Sequence, residues 1–555
     1  MTTVDAFDAK AFVSRRMSDA LVRVEGVEVR QYPEESIVVV RVAKDDFERA
    51  IGLANDVDRE LASRGFAGFV TIKSSQSAGG PARAPGQAGG LRGQRVVQFV
   101  NVLTARSRTS EIQPSLSYVP DAQNNIATAT TPRHHLIFGR RGAGKTALLV
   151  ETKRLVEAQG HVSLWFNVQS CRHEPPDRVF LMVVQRMCEV IRAFYEALSP
   201  TPRAQVVVAE LSEGIERLLA AATPDQTSVT RLIPRVQTAL RGFLGLRHTA
   251  LYIFLDDFHY LERAEQPRLL DMIHGCVRDC DAWLKVAAIQ HLTRWFDPDR
   301  QLGLQTGHDA VHIDLDVTLQ DPASSKAFLE QVLLGYARHA GIERLSRVLS
   351  NGALDRLLLA SGAVPRDYLT LCGRATQVAQ QRENAKQVGV QDVNKAAGDA
   401  KQKKLDELED DAASAREQSQ RILAALQVVR SFCIDIRNWT YFRVDFRDKE
   451  RCGQNYKLLE SLMDLRLIHL VEASLSDEHH AGHRAEVYML DLSQYAGQRF
   501  KRKLHVLDFH GGHFVLKSTG TNRPAVVGNT ANRRLSLLRR APLFELSKLS
   551  GQGGS

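Results

Sequence analysis

The sequence predicts an α/β fold in which a parallel sheet carries a phosphate cradle. A small α/β module precedes it, and a helical lid and a C-terminal helix–strand–strand unit follow. Three observations carry this reading. Gly139-Arg140-Arg141-Gly142-Ala143-Gly144-Lys145-Thr146 fits G-x-x-x-x-G-K-[ST] between strand-like Leu136-Ile137-Phe138 and a helical run reaching about residue 158. The apolar run 250–255 then ends in Asp256-Asp257, and acids at the C-terminal end of a buried parallel strand lie where ligands bind such sheets. Lastly, apolar residues at helical spacing fill 324–339 and 352–360 before the pattern turns to strands near the C-terminus.

The cradle has a physical logic. Its glycines let backbone N–H groups turn toward phosphate oxygens, and the following helix adds the positive end of its dipole. Lys145 would reach the β- and γ-phosphates and Thr146 would place its hydroxyl on Mg²⁺. Gly139, Arg140, Arg141, Gly142, Ala143 and Gly144 make up the rest of the nucleotide cradle. Asp256 would hold Mg²⁺ with Thr146, and Asp257 stands where a carboxylate polarises the attacking water. ATP and Mg²⁺ are therefore the expected ligands.

Composition narrows the class. At 555 residues the chain is long enough for several domains. An apolar content of 44% with 25% charged residues is that of a soluble globular protein. No apolar run is long enough to cross a bilayer, and Met1-Thr2-Thr3-Val4-Asp5 lacks the plan of a signal peptide. A cytoplasmic protein is expected. Seven scattered cysteines argue against a disulfide framework. Cys276 and Cys280 stand near His274 without a second ligand pair, so buried helix cysteines are expected rather than a metal site. The net charge of +9 permits an acidic polymer as partner.

In chain order, residues 1–73 read as the small α/β module, with β-branched 36–42, an amphipathic helix over 44–64 and a strand at 69–72. No catalytic constellation appears there, so a docking or oligomerisation role is expected. Residues 74–94 are rich in Gly, Ala, Ser, Pro and Gln and read as a flexible linker. The nucleotide-binding core spans 95–318, with 96–100 read as a strand and a polar stretch over 107–131. Strands follow at 162–168, 250–255, 283–289 and 310–315, and a helical insertion covers 176–244. The strand at 283–289 ends in Gln290-His291-Leu292-Thr293-Arg294. Gln290, His291 and Thr293 each qualify to feel the γ-phosphate, and the choice stays open. Arg294 and Arg300 would face a neighbouring subunit's nucleotide or sit in a solvated loop. The lid spans 319–400, with a further helix over 344–349. Arg366 opens a lid helix after Gly362 and Pro365.

With these residues in place the pattern resembles the AAA+ P-loop ATPases, and within them the Orc/Cdc6-like group, over roughly residues 95–495. The resemblance implies an AAA+ parallel-sheet core, a helical lid and a C-terminal winged helix. It implies that Arg366 contacts the γ-phosphate and couples lid angle to nucleotide state. It also makes Lys145, Asp256, Asp257 and Arg366 the catalytic set. Val388-Gly389-Val390-Gln391-Asp392-Val393 resembles the start of the last lid helix in that group. One departure stands out. Many members carry Asp-Glu where this chain has Asp256-Asp257, which bears on the rate of turnover rather than on binding.

Residues 401–495 read as a solvated connecting helix (401–421) and the winged-helix domain. Its recognition helix falls at 456–465, its strands at 467–471 and 486–492, and its wing tip at 474–483. His479, His480 and His483 in that tip read as a solvated loop. In the Orc/Cdc6-like group such a domain binds double-stranded DNA. Residues 496–555 form the most basic segment, with Arg499, Lys501, Arg502, Lys503, Lys517, Arg523, Arg533, Arg534, Arg539 and Arg540. It suits phosphate contacts or partner docking, and 551–555 are expected to be disordered. The overall expectation is an ATP-hydrolysing, DNA-associated switch or loader with a nucleotide-dependent homo-oligomer and a protein partner for the N-terminal module. The alternative is a signalling NTPase similar to the STAND group, whose winged helix contacts protein. No internal repeat of the kind that often accompanies that group is visible. No protease or nuclease residue set and no second motor domain appear.

Overall fold

The computed structural model describes residues 8–31, 36–43, 46–66, 68–74, 90–107, 109–113, 115–116, 118–196, 202–247, 249–383, 385–411, 416–477, 482–496, 504–518 and 526–550. The chain divides into compact units Met1–Ala88 and Gly89–Ser555. Most of the expected linker, together with His479, His480, Arg499, Lys501, Arg502, Lys503, Arg523 and 551–555, lies outside the described residues.

In the first unit α1 (Ala9–Asp19) is capped by Asp8, whose carboxylate accepts from the Lys10 and Ala11 amides. Then follow β1 (Val24–Gln31), β2 (Ser36–Val42), α2 (Phe47–Ser63) and β3 (Gly68–Ser74). β1 and β2 pair antiparallel, while α2 crosses over to bring β3 parallel to β2. The helices bury Val13, Met17, Val57 and Leu61 against Val38 and Val40. The sequence reading omitted β1, because Val24-Glu25-Gly26-Val27-Glu28-Val29 mixes acids and a glycine into its alternation.

The second unit opens with a helix in place of the expected strand. Residues 96–100, read as a strand, lie within helix α3 (Gln94–Ala105). Val96, Phe99, Val100 and Leu103 recur at helical spacing and are buried. Leu91, assigned to the linker, is buried too, and its carbonyl accepts from Gln380. After α4 (Asn125–Ala129) come β4 (His134–Phe138), α5 (Lys145–Ala158) and β5 (Val162–Asn167). The helical insertion is α6 (Pro176–Glu196), α7 (Pro202–Ala220) and α8 (Gln226–Arg247). The core continues through β6 (Leu251–Asp256), α9 (Gln266–Val277), β7 (Ala282–Ala288), a short hairpin of β8 (Phe296–Asp297) and β9 (Leu302–Gly303), and β10 (Ala310–Asp314).

The parallel sheet has the order β10-β4-β7-β6-β5. Inner strands β4 and β6 are buried at every position, whereas the edge strands do not keep full burial: β5 is half-buried at four of its six positions and β10 exposes His312 and Asp314. That contrast follows from position, since an inner strand is covered on both faces. The insertion helices and α9 bury Phe180, Val183, Met187 and Ile273 on one face. On the other, α5 packs Leu148, Leu149 and Val156 against Tyr252 and Phe254. The C-terminal ends of β4, β6 and β7 therefore meet at one edge.

The lid is α10 (Pro322–His339), α11 (Asn351–Ser361), α12 (Pro365–Gln381) and α13 (Val390–Asp411). Residues 344–349, expected as a helix, make only a 3₁₀ turn at Leu345–Arg347. α3 packs into this bundle, with Leu103 against Gly373. The expected solvated helix over 401–421 divides between α13 and α14 (Arg416–Ser431). It is not solvated at Lys404, which is 7% exposed.

The winged helix is β11 (Tyr441–Asp445), α15 (Phe446–Arg451), α16 (Gly453–Asp464), β12 (Ile468–Ser476) and β13 (Arg484–Leu490), with sheet order β11-β13-β12. The described part of the basic segment is folded. It forms a hairpin of β14 (His505–His510) and β15 (His513–Ser518), then β16 (Val526–Gly528) and α17 (Ala531–Arg539). Leu537, Leu538, Phe544 and Leu546 are buried in the same core as the winged helix. Arg534 pairs with Glu472 and Lys517 with Asp508, so part of its charge is neutralised.

Lid and winged helix meet closely at Gly362. Its φ is +56°, and an added Cβ would come within 2.0 Å of His469 Nδ1. Gly362→Ala is expected to cost about 1–2 kcal/mol from the left-handed backbone alone, plus the steric conflict. Gly160→Ala, at φ +83° with open space around it, should cost only the backbone part. Thermal unfolding of both variants checks the difference.

Candidate functional site

β4 ends at Phe138, and the chain turns through Gly139–Gly144 into α5. Gly142 (φ +83°) and Gly144 (φ +107°) adopt the left-handed conformation that favours glycine. Gly142 is also crowded, since a Cβ there would come within 2.7 Å of the Arg366 Cβ. Its carbonyl accepts from the Arg366 amide at 3.2 Å. The start of α12 thus rests directly on the loop.

Lys145 is 8% exposed. Its Nζ donates to the Gly139 carbonyl at 2.7 Å and to the Arg140 carbonyl at 3.2 Å. Burial pushes its pKa down, while Asp316, Asp257 and Asp256 pull it back up. Thr146 Oγ1 donates to Asp256 Oδ2 at 2.9 Å, and the Asp257 amide donates to Asp256 Oδ1 at 2.9 Å. Burial, and then the charge of Asp257, holds the Asp256 carboxyl well above the usual range. Burial raises Asp257 as well, against the pull of Lys145 and a hydrogen bond from Asn167. Two neighbouring acids short of positive charge, with a hydroxyl beside them, make a hard-oxygen set suited to Mg²⁺. Among the described residues no cluster of three or more His, Cys, Asp or Glu could hold a metal. A cation here would therefore draw further oxygens from phosphate and water, as Mg²⁺ commonly does.

Arg140 is tied to the lid side. Its amide and Nε meet Asp316 Oδ1 at 2.8 and 3.3 Å, and its Nη2 donates to Val317 O at 2.7 Å and Gly362 O at 3.3 Å. It joins the loop, the exit from β10 and the turn before α12. Arg141 and Arg366 both lie within electrostatic reach of Asp257. Ala143 packs close to Gly139, where a Cβ would stand 3.1 Å from it.

The polar residues after β7 separate. Gln290 is exposed. Thr293 is buried and donates to Ile289 O at 2.7 Å. His291 Nδ1 pairs with the Asp464 carboxylate at the end of α16. Arg294 pairs with Asp297 at 3.0 Å, and Arg300 is exposed. Cys276 is buried and Cys280 half-buried.

A polar seam joins lid and winged helix next to Arg366. Arg466 donates to Asp367 at 2.6 Å, Lys404 to Asp491 at 2.8 Å, and His469 Nε2 meets Asp491 at 2.9 Å. Burial alone would raise Asp491, yet Lys404 and His469 hold it well below the usual range. The sequence reading missed Asn167, Asp316, Asp464 and His469. Asn167 and Asp316 had a usable signal, as polar residues at or just past the C-terminal end of a strand. Asp464 and His469 had none, because they arrive from a separate domain.

The AAA ATPase domain family matches residues 121–277. This chain carries an AAA ATPase domain. The matched span runs from the approach to β4 to the end of α9 and includes the loop, α5 and both acids. Among solved structures, Cdc6p from Pyrobaculum aerophilum is 15% identical with a TM-score of 0.34, over 68% of this chain and 92% of that one. The Aeropyrum pernix Orc1 protein in complex with DNA is 15% identical with a TM-score of 0.31, over 67% and 90%. The Thermotoga maritima RuvB Holliday junction branch migration motor is 13% identical with a TM-score of 0.27, over 54% and 80%. No curated protein sequence matches the chain. No described helix of this AAA ATPase-domain protein is long and apolar enough to cross a membrane.

Arg140→Ala removes the side-chain bonds to Asp316, Val317 and Gly362. Charge-assisted bonds are worth about 1.5–3 kcal/mol. Amide exchange near residues 315–321 and 362–366 is therefore expected to accelerate by roughly tenfold or more, read by hydrogen-exchange mass spectrometry.

Proposed function

We propose that the chain binds Mg·ATP between the core sheet and the lid, hydrolyses it, and uses the nucleotide state to govern how its winged helix engages double-stranded DNA. The observation that carries the reading is the convergence of Lys145, Thr146, Asp256, Asp257 and Arg366 at one sheet edge, from the loop, β6 and the lid. Lys145 would exchange its bonds to Gly139 and Arg140 for phosphate oxygens. The amides from Gly139 to Thr146 would line the polyphosphate. Thr146 and Asp256 would hold Mg²⁺, which when bound supplies charge neutralisation between the phosphates. Asp257, oriented by Asn167, would accept a proton from water aligned with the γ-phosphate, and Arg366 would stabilise charge on the transferring group. Aspartate in place of glutamate sets the carboxylate one methylene further back, so turnover would be slow or partner-stimulated.

DNA contact is supported by the placement of α17 beside the wing. Arg539 donates to Ser476 O at 2.9 Å and Arg534 pairs with Glu472, so α17 lies along β12, and Arg533 and Arg540 are exposed at its two ends. Cations beside a wing suit backbone phosphates. In this reading the divisions fall at 1–73, 74–94, 95–318, 319–400, 401–495 and 496–555, with the N-terminal module taking a protein partner and ATP favouring a homo-oligomer. A second reading, a regulatory NTPase whose winged helix binds protein, is favoured by the pairing of α16 with the core at His291.

Lys145→Ala is expected to weaken ATP binding about 100-fold or more. Asp257→Asn should keep binding and lower turnover by about 10²–10³. Titration with a fluorescent nucleotide and a phosphate-release assay check these, and normal ATP binding by Lys145→Ala would refute the site. A gel shift titrated with salt separates the two readings. Steep loss of binding with salt supports duplex DNA, whereas no shift at any salt supports a protein partner.

A further inference from the structure

One side of α12 lines a cleft of about 640 Å³ that includes no residue of the nucleotide site except Arg366. Lid helices α12 and α13, the turn before β12 and the chain just past β13 enclose it, and each of its lining residues is buried or half-buried. Arg366, Thr370 and Arg374 stand four residues apart, so one face of α12 presents them in a row. Arg366 is at the end beside the phosphate loop, and Arg374 lies about 12 Å further along the helix. Lys404 and Arg466 complete the cationic lining. The two acids present are already engaged. Asp367 accepts from Arg466 at 2.6 Å and Asp491 from Lys404 at 2.8 Å. Four cations against two acids leave an excess of two positive charges. Arg374 is half-buried and makes no hydrogen bond or ion pair among the described residues, and the Thr370 hydroxyl has no hydrogen-bond partner among them either. A guanidinium with all its donors unspent in a recessed, electropositive wall is matched by an anion.

We propose that this cleft is a second ligand site, separate from the phosphate loop, for a small molecule carrying a phosphate monoester. Such a group has three terminal oxygens and a charge of about −2, which matches the excess of positive charge. Its donors are the Arg374 fork, the Thr370 hydroxyl and the third N–H of Lys404, whose other two go to Asp491 and the Arg466 carbonyl. A carboxylate, with two oxygens and a single charge, would leave part of this set unused. The carbon skeleton rests on Leu371, Ala397 and Ala400. Because the lining is recessed throughout, the site takes a small molecule and not the face of a macromolecule. A ligand held here touches α12 and α13 on one side and Arg466 and Ser493 on the other, so it fastens the lid to the winged helix.

Calorimetric titration of the full chain with glycerol 3-phosphate tests this. Arg374→Ala removes no bond present in the structure, so the variant should fold and melt as the wild type does. It is expected to weaken binding of glycerol 3-phosphate about tenfold or more. Its affinity for a fluorescent ATP analogue should change by less than about twofold, since the two sites share no bond through Arg374. Lys145→Ala should show the reverse pattern, which separates failure of this site from failure of the nucleotide site. Arg374→Lys should recover part of the loss, and Gln377→Ala, exposed on the same helix, should alter neither ligand. In the wild-type chain, glycerol 3-phosphate should slow hydrogen exchange across 366–374 and 397–404. No binding of glycerol 3-phosphate by the wild type, binding that Arg374→Ala leaves unchanged, or equally tight binding of glycerate would overturn the proposal. So would an Arg374-dependent response to a phosphoserine peptide with none to glycerol 3-phosphate.

Discussion

The approach of α12 to Gly142 is the constraint on which the rest of the architecture depends. A backbone bond from Arg366 to the Gly142 carbonyl requires a residue without a Cβ at that point. Once the contact exists, the phosphate loop has the lid as one wall. Arg140 reinforces it from the adjacent position through Asp316, Val317 and Gly362. A molecule filling the loop must therefore push on the lid. Lys145 is buried beneath this contact with carbonyls for partners, and Asp256, buried, and Asp257, half-buried, lie nearby with too little positive charge. Both conditions favour an anion bound together with a divalent cation.

The winged helix extends that mechanical chain. Gly362 carries a carbonyl toward Arg140 on one side and accepts the His469 ring on the other. Asp367, next to Arg366, is held by Arg466. Movement of the start of α12 is thus felt in the turn between α16 and β12. Coupling along this run needs an element with two arrangements, and in the proposed function Lys145 supplies it by exchanging the Gly139 and Arg140 carbonyls for phosphate oxygens. The lid, the winged helix, the C-terminal strands and α17 share one hydrophobic core, so these parts of the chain should respond together.

Much of the site was legible in the sequence because its chemistry is local. The loop from Gly139 to Thr146 is a contiguous pattern, and Asp256-Asp257 ends a run whose unbroken apolar character marks a strand covered on both faces. The sequence reading of Val96 to Val100 as a strand failed because a short apolar run fits either period. Phe99 and Leu103, spaced four apart, decide for a helix only once the lid is there to bury them. Lys404 read as solvated because its neighbours are charged, and its acid partner Asp491 lies 87 residues away. The choice among Gln290, His291 and Thr293 stayed open for the same reason. Nothing near them in sequence shows that Thr293 turns inward, or that His291 meets an acid from another domain.

In the proposed function the state of the nucleotide sets the position of the winged helix relative to the core. Energy transfer between dyes at Gln159 in the core and Gln454 on α16, both exposed, measures that position directly. The distance is expected to lengthen when Mg²⁺ and a non-hydrolysable ATP analogue bind and to return with ADP. An unchanged distance with the ATP analogue demonstrably bound would contradict it.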